Sequence, residues 1–290
     1  MKILIGVLLI ANSFANITNY KALQGCFRFN NQEYRALRSF FKNNQQYFLV
    51  VNTNTLKTLL ASAIPLKKEP CSASSYYQKL LNSSTTSPFP LHNDGIIKNP
   101  KGITLTTDLC PSSKKGFEKK LYETLFKTFP SPTPVTIFIT KRWILKHKKE
   151  FNQLKKWQKE QKLAITWGNH TAYHHYYPKL PDNKNYVLAK KENFKKDVFD
   201  LEKTLLLNNI TPSIFFRFPG LVSNKKRVNE LKNMGLIPIG ANSWLAIGQK
   251  LQKESIILLH GNKNEPQGVK LFLKLLKEGK IKRLEPLLEK

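Results

Sequence analysis

Residues 102–108 read GITLTTD, a short β-branched and apolar run that ends on an acid, Asp108. Strand-like runs of the same kind recur downstream: PVTIFIT (134–140), LAITWGNH (163–170), SIFFRFPG (213–220), LIPIGAN (236–242) and SIILLHG (255–261). Between them lie stretches of helical period. These are residues 114–127, KRWILKHKKEFNQLKKWQKEQ (141–161), KKENFKKDVFDLEKTLLLNN (190–209), NKKRVNELKNMG (224–235) and GVKLFLKLLKEG (268–279). Strands that alternate with helices of this length predict βα units and a parallel sheet, as a barrel or a doubly wound sheet.

Chemically capable residues fall at the ends of these strands. Asp108 closes the first run, His170 the third and His260 the sixth, while Arg217 lies near the end of the fourth and Asn242 and Trp244 follow the fifth. Parallel α/β folds gather the C-terminal ends of their strands on one rim, where sites are built. His170 and His174 stand four apart, a spacing that one helical turn would place on one side for a divalent metal; the bland alternative is a pair of partly buried imidazoles bonded to backbone. Asp108 alone would serve as a helix cap. Arg217, inside the aromatic run FFRFPG, needs a carboxylate partner, and Asp108 on the same rim is the natural one.

Upstream, residues 16–80 carry two runs that read as helical, YRALRSFF (34–41) and NTLKTLLASAI (54–64), and one that reads as a strand, YFLVVNT (47–53). NSSTTSPFP (82–90) has the composition of a linker. The start, MKILIGVLLIANSFAN, shows a lysine, an apolar run and small residues at a cleavage position, so residues 1–15 are expected to be a secretory signal. The expected division is then residues 1–15, a 16–98 region with its linker, and a main domain at 99–290. Export would place the protein in the periplasm or outside the cell, where Cys26 and Cys71 could pair and Cys110 is left over.

The chain has 290 residues and a formal net charge of +29. Its lysines are spread along helix faces, the look of a solvated surface, and nucleic acid is not expected as a partner. The positive field suits anionic envelope polymers.

These residues, in this order, resemble the polysaccharide deacetylase family (the NodB homology domain, carbohydrate esterase family 4). The family's Thr-Phe-Asp-Asp-Gly-Pro is similar to Thr106-Thr107-Asp108-Leu109-Cys110-Pro111, and its His-Ser/Thr-x-x-His to His170-Thr171-Ala172-Tyr173-His174. Arg217-Phe218-Pro219 with Gly220, Asn242-Ser243-Trp244 and Leu258-Leu259-His260 resemble the remaining motifs. The resemblance spans residues 101–279 and implies a distorted (β/α) barrel. It also implies metal-dependent removal of acetyl groups from an N-acetylated cell-envelope polysaccharide such as peptidoglycan. In that scheme His170 and His174 bind a divalent metal, zinc first and cobalt, nickel or manganese as alternatives. Asp108 acts as base, held by Arg217, and His260 protonates the leaving amine. Gly220, Trp244 and Leu258 line the substrate site, with backbone N–H groups near Gly220 steadying the oxyanion. Two positions depart from the pattern. Leu109 replaces a metal-binding aspartate, for which Asp108 itself or Cys110 could substitute, and Asn242 stands where an aspartate would orient His260. The alternative is a degenerate relative that binds glycan or a protein partner without turnover.

Overall fold

The computed structural model describes residues 16–65, 69–83, 91–93 and 95–289. The N-terminal part runs through β1 (Ile17–Ala22), β2 (Cys26–Phe29), β3 (Gln32–Lys42), β4 (Gln45–Asn52), β5 (Thr58–Ala61) and α1 (Tyr76–Ser83). After β6 (Leu91–His92) the βα alternation begins with β7 (Thr104–Leu109), α2 (Lys119–Thr128), β8 (Thr133–Ile139), α3 (Lys141–Lys146), α4 (Lys148–Lys159), β9 (Leu163–Asn169) and α5 (Phe194–Leu207). It continues through β10 (Phe215–Phe216), β11 (Val222–Ser223), α6 (Lys225–Asn233), β12 (Ile237–Pro238), β13 (Ser243–Trp244), β14 (Ile256–His260) and α7 (Pro266–Lys277).

Seven strands form one parallel sheet in the order β12-β10-β9-β8-β7-β14-β13. Its two edges, β12 and β13, are separated in sequence by residues 239–242 only. Five peptide steps reach at most roughly 18 Å, so the sheet must curl until its edges approach one another. Residues 95–99 help close the seam: Ile96 bridges to Ile239, and Lys98 to Ser255. The result is the distorted, incompletely hydrogen-bonded (β/α) barrel. Apolar faces of α2, α4, α5 and α7 (Leu125, Trp157, Leu205 and Phe272 among them) pack with strand residues such as Leu105 and Ile137 in one core.

The runs read as helices at 34–41 and 54–64 are strand and turn instead. β3 is buried at every position from Ala36 to Phe40, so it lacks the alternation that marks a strand with one wet face. In 54–64 the Asn52 side chain accepts from the N–H groups of Asn54 and Thr55, which makes a turn before β5 pairs with β4. The long helix at 141–161 is likewise two, α3 and α4, broken at His147. The signal reading (1–15) and residues 84–90 of the linker reading lie outside the described residues. No helix among the described residues is long and apolar enough to cross a membrane.

The N-terminal sheet, ordered β1-β3-β4-β5 with β2 on β3, shares a core with the barrel. Leu37, Phe40 and Val51 pack with Ile214, Ile237 and Ile256. Inside this contact the fully buried Arg38 makes two 2.7 Å bonds to the Glu202 carboxylate and a 2.6 Å bond to Met234 O, and Tyr20 donates to Glu202 at 2.8 Å. Cys26 and Cys71 form a disulfide across 45 residues, a bond compatible with an oxidising compartment.

A buried ion pair is expensive to break from one side, because the orphaned charge stays behind. Arg38→Met should therefore cost about 3–5 kcal/mol in denaturant unfolding, and the double variant Arg38→Met/Glu202→Leu should cost less than that single change.

Candidate active site

Strand register creates the rim. In the β7–β14 pair Asp108 lies opposite His260, and in the β9–β10 pair Asn169 lies opposite Phe216. His170 and Arg217 each follow one residue later. Alternation along β7 turns Asp108 to the barrel interior and Leu109 into the core beneath the helices, where it is fully buried.

Arg217 has no exposed surface and reaches across the barrel. One Nη1 donates to Asp108 Oδ1 at 2.7 Å and to Thr106 Oγ1 at 2.8 Å. The other side of the guanidinium donates to Gly240 O at 2.9 Å and Ile239 O at 3.3 Å, on the segment that joins the two sheet edges. Phe138 lies 4.2 Å beneath it. That ring has room because its β9 neighbour is Gly168, where a Cβ would stand 2.5 Å from it. Burial lowers the Arg217 pKa and the Asp108 charge opposes that shift.

The two histidines come together by a route other than the expected helical turn. Residues 170–177 form no helix, and Thr171 and His174 both have positive φ, 69° and 48°. Side chains hold this turn. Asn169 accepts from Thr171 N–H, Asp197 accepts from Ala172 and Tyr173 N–H, and Thr171 Oγ1 accepts from His174 N–H. The His170 and His174 rings end 4.8 Å apart. His170 Nδ1 sits 2.8 Å from Arg217 O, which can only accept, so Nδ1 carries a proton and Nε2 is the nitrogen turned toward Cys110 and Asp108. Nε2 lies 3.4 Å from Cys110 Sγ and 3.8 Å from Asp108 Oδ2. Among the described residues, Cys110, His170 and His174 are the group able to hold a metal ion, their ligand atoms all within 4.8 Å of one another. A bound divalent metal fits this arrangement: a fixed tautomer, soft and borderline donors, and a backbone partner behind one imidazole.

His260 is oriented by Glu265, not by Asn242. Glu265 Oε2 lies 2.9 Å from His260 Nδ1 and accepts from Trp244 Nε1 at 2.8 Å. Asn242 instead accepts from Ile256 N–H and faces Gln252 and Glu254 O, a purely structural set. A full carboxylate thus backs His260. Burial disfavours its protonation, but Cys110 and then Glu265 outweigh burial and hold its pKa well above the imidazole norm. Burial raises and His260 lowers the Glu265 pKa, with a net fall.

A cleft of about 510 Å³ opens over these groups and is lined by Asp108, Cys110, His174, Trp244, His260 and Glu265. Gly220, Leu221 and Leu258 also line it, as do Tyr176 and Tyr186 from the turn region. His170 and Arg217 stand behind this surface. Gly220 has φ 64°, and a Cβ there would meet the Tyr186 ring at 2.4 Å. Of the backbone N–H groups expected near it for an oxyanion, that of Leu221 is committed to Phe218 O. Glu265, Cys110 in this position and the tyrosine pair are the cleft residues that sequence motifs missed or underweighted. In a chain with 19 acids against 48 bases, an acid directly before Pro266 and five residues after His260 was the available signal for Glu265.

Solved structures similar to this chain include family 4 carbohydrate esterases. One from Bacillus anthracis is 20% identical, with TM-score 0.46, over 74% of this chain and 90% of that one. The chitin deacetylase of the fungal pathogen Colletotrichum lindemuthianum is 16% identical, with TM-score 0.47, over 67% and 90%. A family 4 pseudoenzyme, also from Bacillus anthracis, is 12% identical, with TM-score 0.46, over 88% and 85%. A separate family model, RP012 protein N-terminal domain, matches residues 26–83. The site itself rests on its own geometry.

The His260–Glu265 pair should leave a pH signature in metal-free protein. The raised His260 pKa adds stability that is full below the ordinary imidazole value of 6.5 and lost as pH rises through the folded value. The lowered Glu265 pKa adds stability that is full above 4.5 and lost as pH falls through its folded value. The stability difference between wild type and Glu265→Gln, read from denaturant midpoints, should therefore peak between pH 4.5 and 6.5 and shrink on both sides.

Proposed function

We propose that this protein is a metal-dependent N-deacetylase that hydrolyses the acetamide of an N-acetylated cell-envelope polysaccharide, peptidoglycan being the favoured substrate. The observation that carries this reading is one open cleft lined by Asp108, His174 and His260, with Arg217 bonded to Asp108 and His170 packed beside His174 directly behind it. A bound divalent ion, zinc first, would polarise the acetyl carbonyl and acidify the attacking water. His170 and His174 would hold it through imidazole nitrogens. Asp108 keeps one oxygen on Arg217 and leaves Oδ2, 3.8 Å from His170 Nε2, to accept the water's proton. His260, charged against Glu265, has a proton to give to the departing amine. Trp244 and the Tyr176–Tyr186 pair, with ring centroids 5.4 Å apart, offer apolar walls to a sugar ring.

Leu109 supports a second reading, in which the cleft binds glycan without turnover. Its side chain is fully buried where the family pattern implies a metal-binding acid.

Purified protein loaded with zinc or cobalt should release acetate from N-acetylglucosamine oligomers or peptidoglycan, and a chelator should stop it. Asp108→Asn should lower the rate by about 10²–10⁴-fold, with circular dichroism checking that the variant is folded. Glycan binding with no acetate from the metal-loaded wild type would overturn catalysis and favour the second reading.

A further inference from the structure

We infer that Cys110 Sγ is the third protein ligand of the metal, making a Cys-His-His centre that selects zinc and cobalt over manganese and magnesium. This inference rests on the metal-dependent reading of the same cleft and names the donor that takes the place left by Leu109.

The geometry singles out the thiol. A tetrahedral ion with Zn–S near 2.3 Å and Zn–N near 2.05 Å needs a sulfur-to-nitrogen edge of about 3.6 Å. Cys110 Sγ to His170 Nε2 is 3.4 Å. The most distant pair in the three-atom cluster is no more than 4.8 Å apart, so closing it asks for a shift of about 1 Å, within the swing of a half-buried imidazole such as His174. Asp108 stays outside that cluster, with Oδ1 committed to Arg217.

The backbone that carries the thiol is also held in place. Asn262 Nδ2 donates to Cys110 O at 2.9 Å, and Thr140 Oγ1 donates to the preceding carbonyl, Leu109 O, at 3.0 Å. Cys110 is free of any disulfide and forms part of the cleft wall. With Nδ1 donating to Arg217 O, Nε2 is the nitrogen that His170 offers to a metal, which displaces any proton from it on binding. A thiolate in a set with two imidazoles suits zinc and cobalt, whereas manganese and magnesium favour oxygen ligands. The chain keeps its base, Asp108, out of the coordination sphere by supplying sulfur from two residues further on.

Cobalt titration of reduced, metal-free protein tests this by absorption spectroscopy, independently of turnover. Wild type should show the visible bands of four-coordinate cobalt together with a sulfur-to-cobalt charge-transfer band in the near ultraviolet. Cys110→Ser should lose the charge-transfer band and bind cobalt at least ~10-fold more weakly, and Cys110→Asp should regain affinity for manganese relative to zinc. Cobalt bound by the wild type without a charge-transfer band would overturn the thiolate ligand and leave the metal reading standing. No cobalt bound at all would overturn both.

Discussion

The buried pair between Asp108 and Arg217 is the constraint on which the rest of the site depends. A guanidinium with no exposed surface can persist only if its donors and its charge are met inside the protein. Here they are met by Asp108 and Thr106 on one strand and by Ile239 and Gly240 on the segment joining the sheet edges. One side chain therefore ties the first strand of the barrel to its seam. The same arginine offers its own carbonyl to His170, so the residue that holds the carboxylate also sets the tautomer of the imidazole.

This coupling explains why several of the chain's less obvious choices sit together. Gly168 makes room for Phe138, Phe138 underlies Arg217, and Arg217 positions Asp108 and His170. The N-terminal sheet contributes from outside. Its buried Arg38 grips Glu202 on α5, the helix whose Asp197 pins the turn carrying His174. The N-terminal sheet is thus packed into the support of the site.

The βα alternation was legible because its strands are long apolar runs ending on polar residues, and the rim followed from where Asp108, His170, Arg217 and His260 fall. The Asp108–Arg217 partnership was legible from charge alone, since an arginine among phenylalanines must find an acid. Other features were hidden for physical reasons. β3 is buried on both faces, so no alternation marks it as a strand. The His170–His174 approach comes from a side-chain-pinned turn with positive φ, which a four-residue spacing imitates. Glu265 reaches His260 from a loop, and nothing in the spacing of Asn242 shows that it is occupied by Ile256.

The central claim is spatial: one cation-sized gap bounded by Cys110, His170 and His174 beside Asp108. Anomalous diffraction at the zinc edge from zinc-loaded crystals tests it most directly. The account predicts a single strong peak within bonding distance of His170 Nε2, His174 and Cys110 Sγ, with Asp108 next to it. A peak elsewhere, or none at these three side chains, would contradict it.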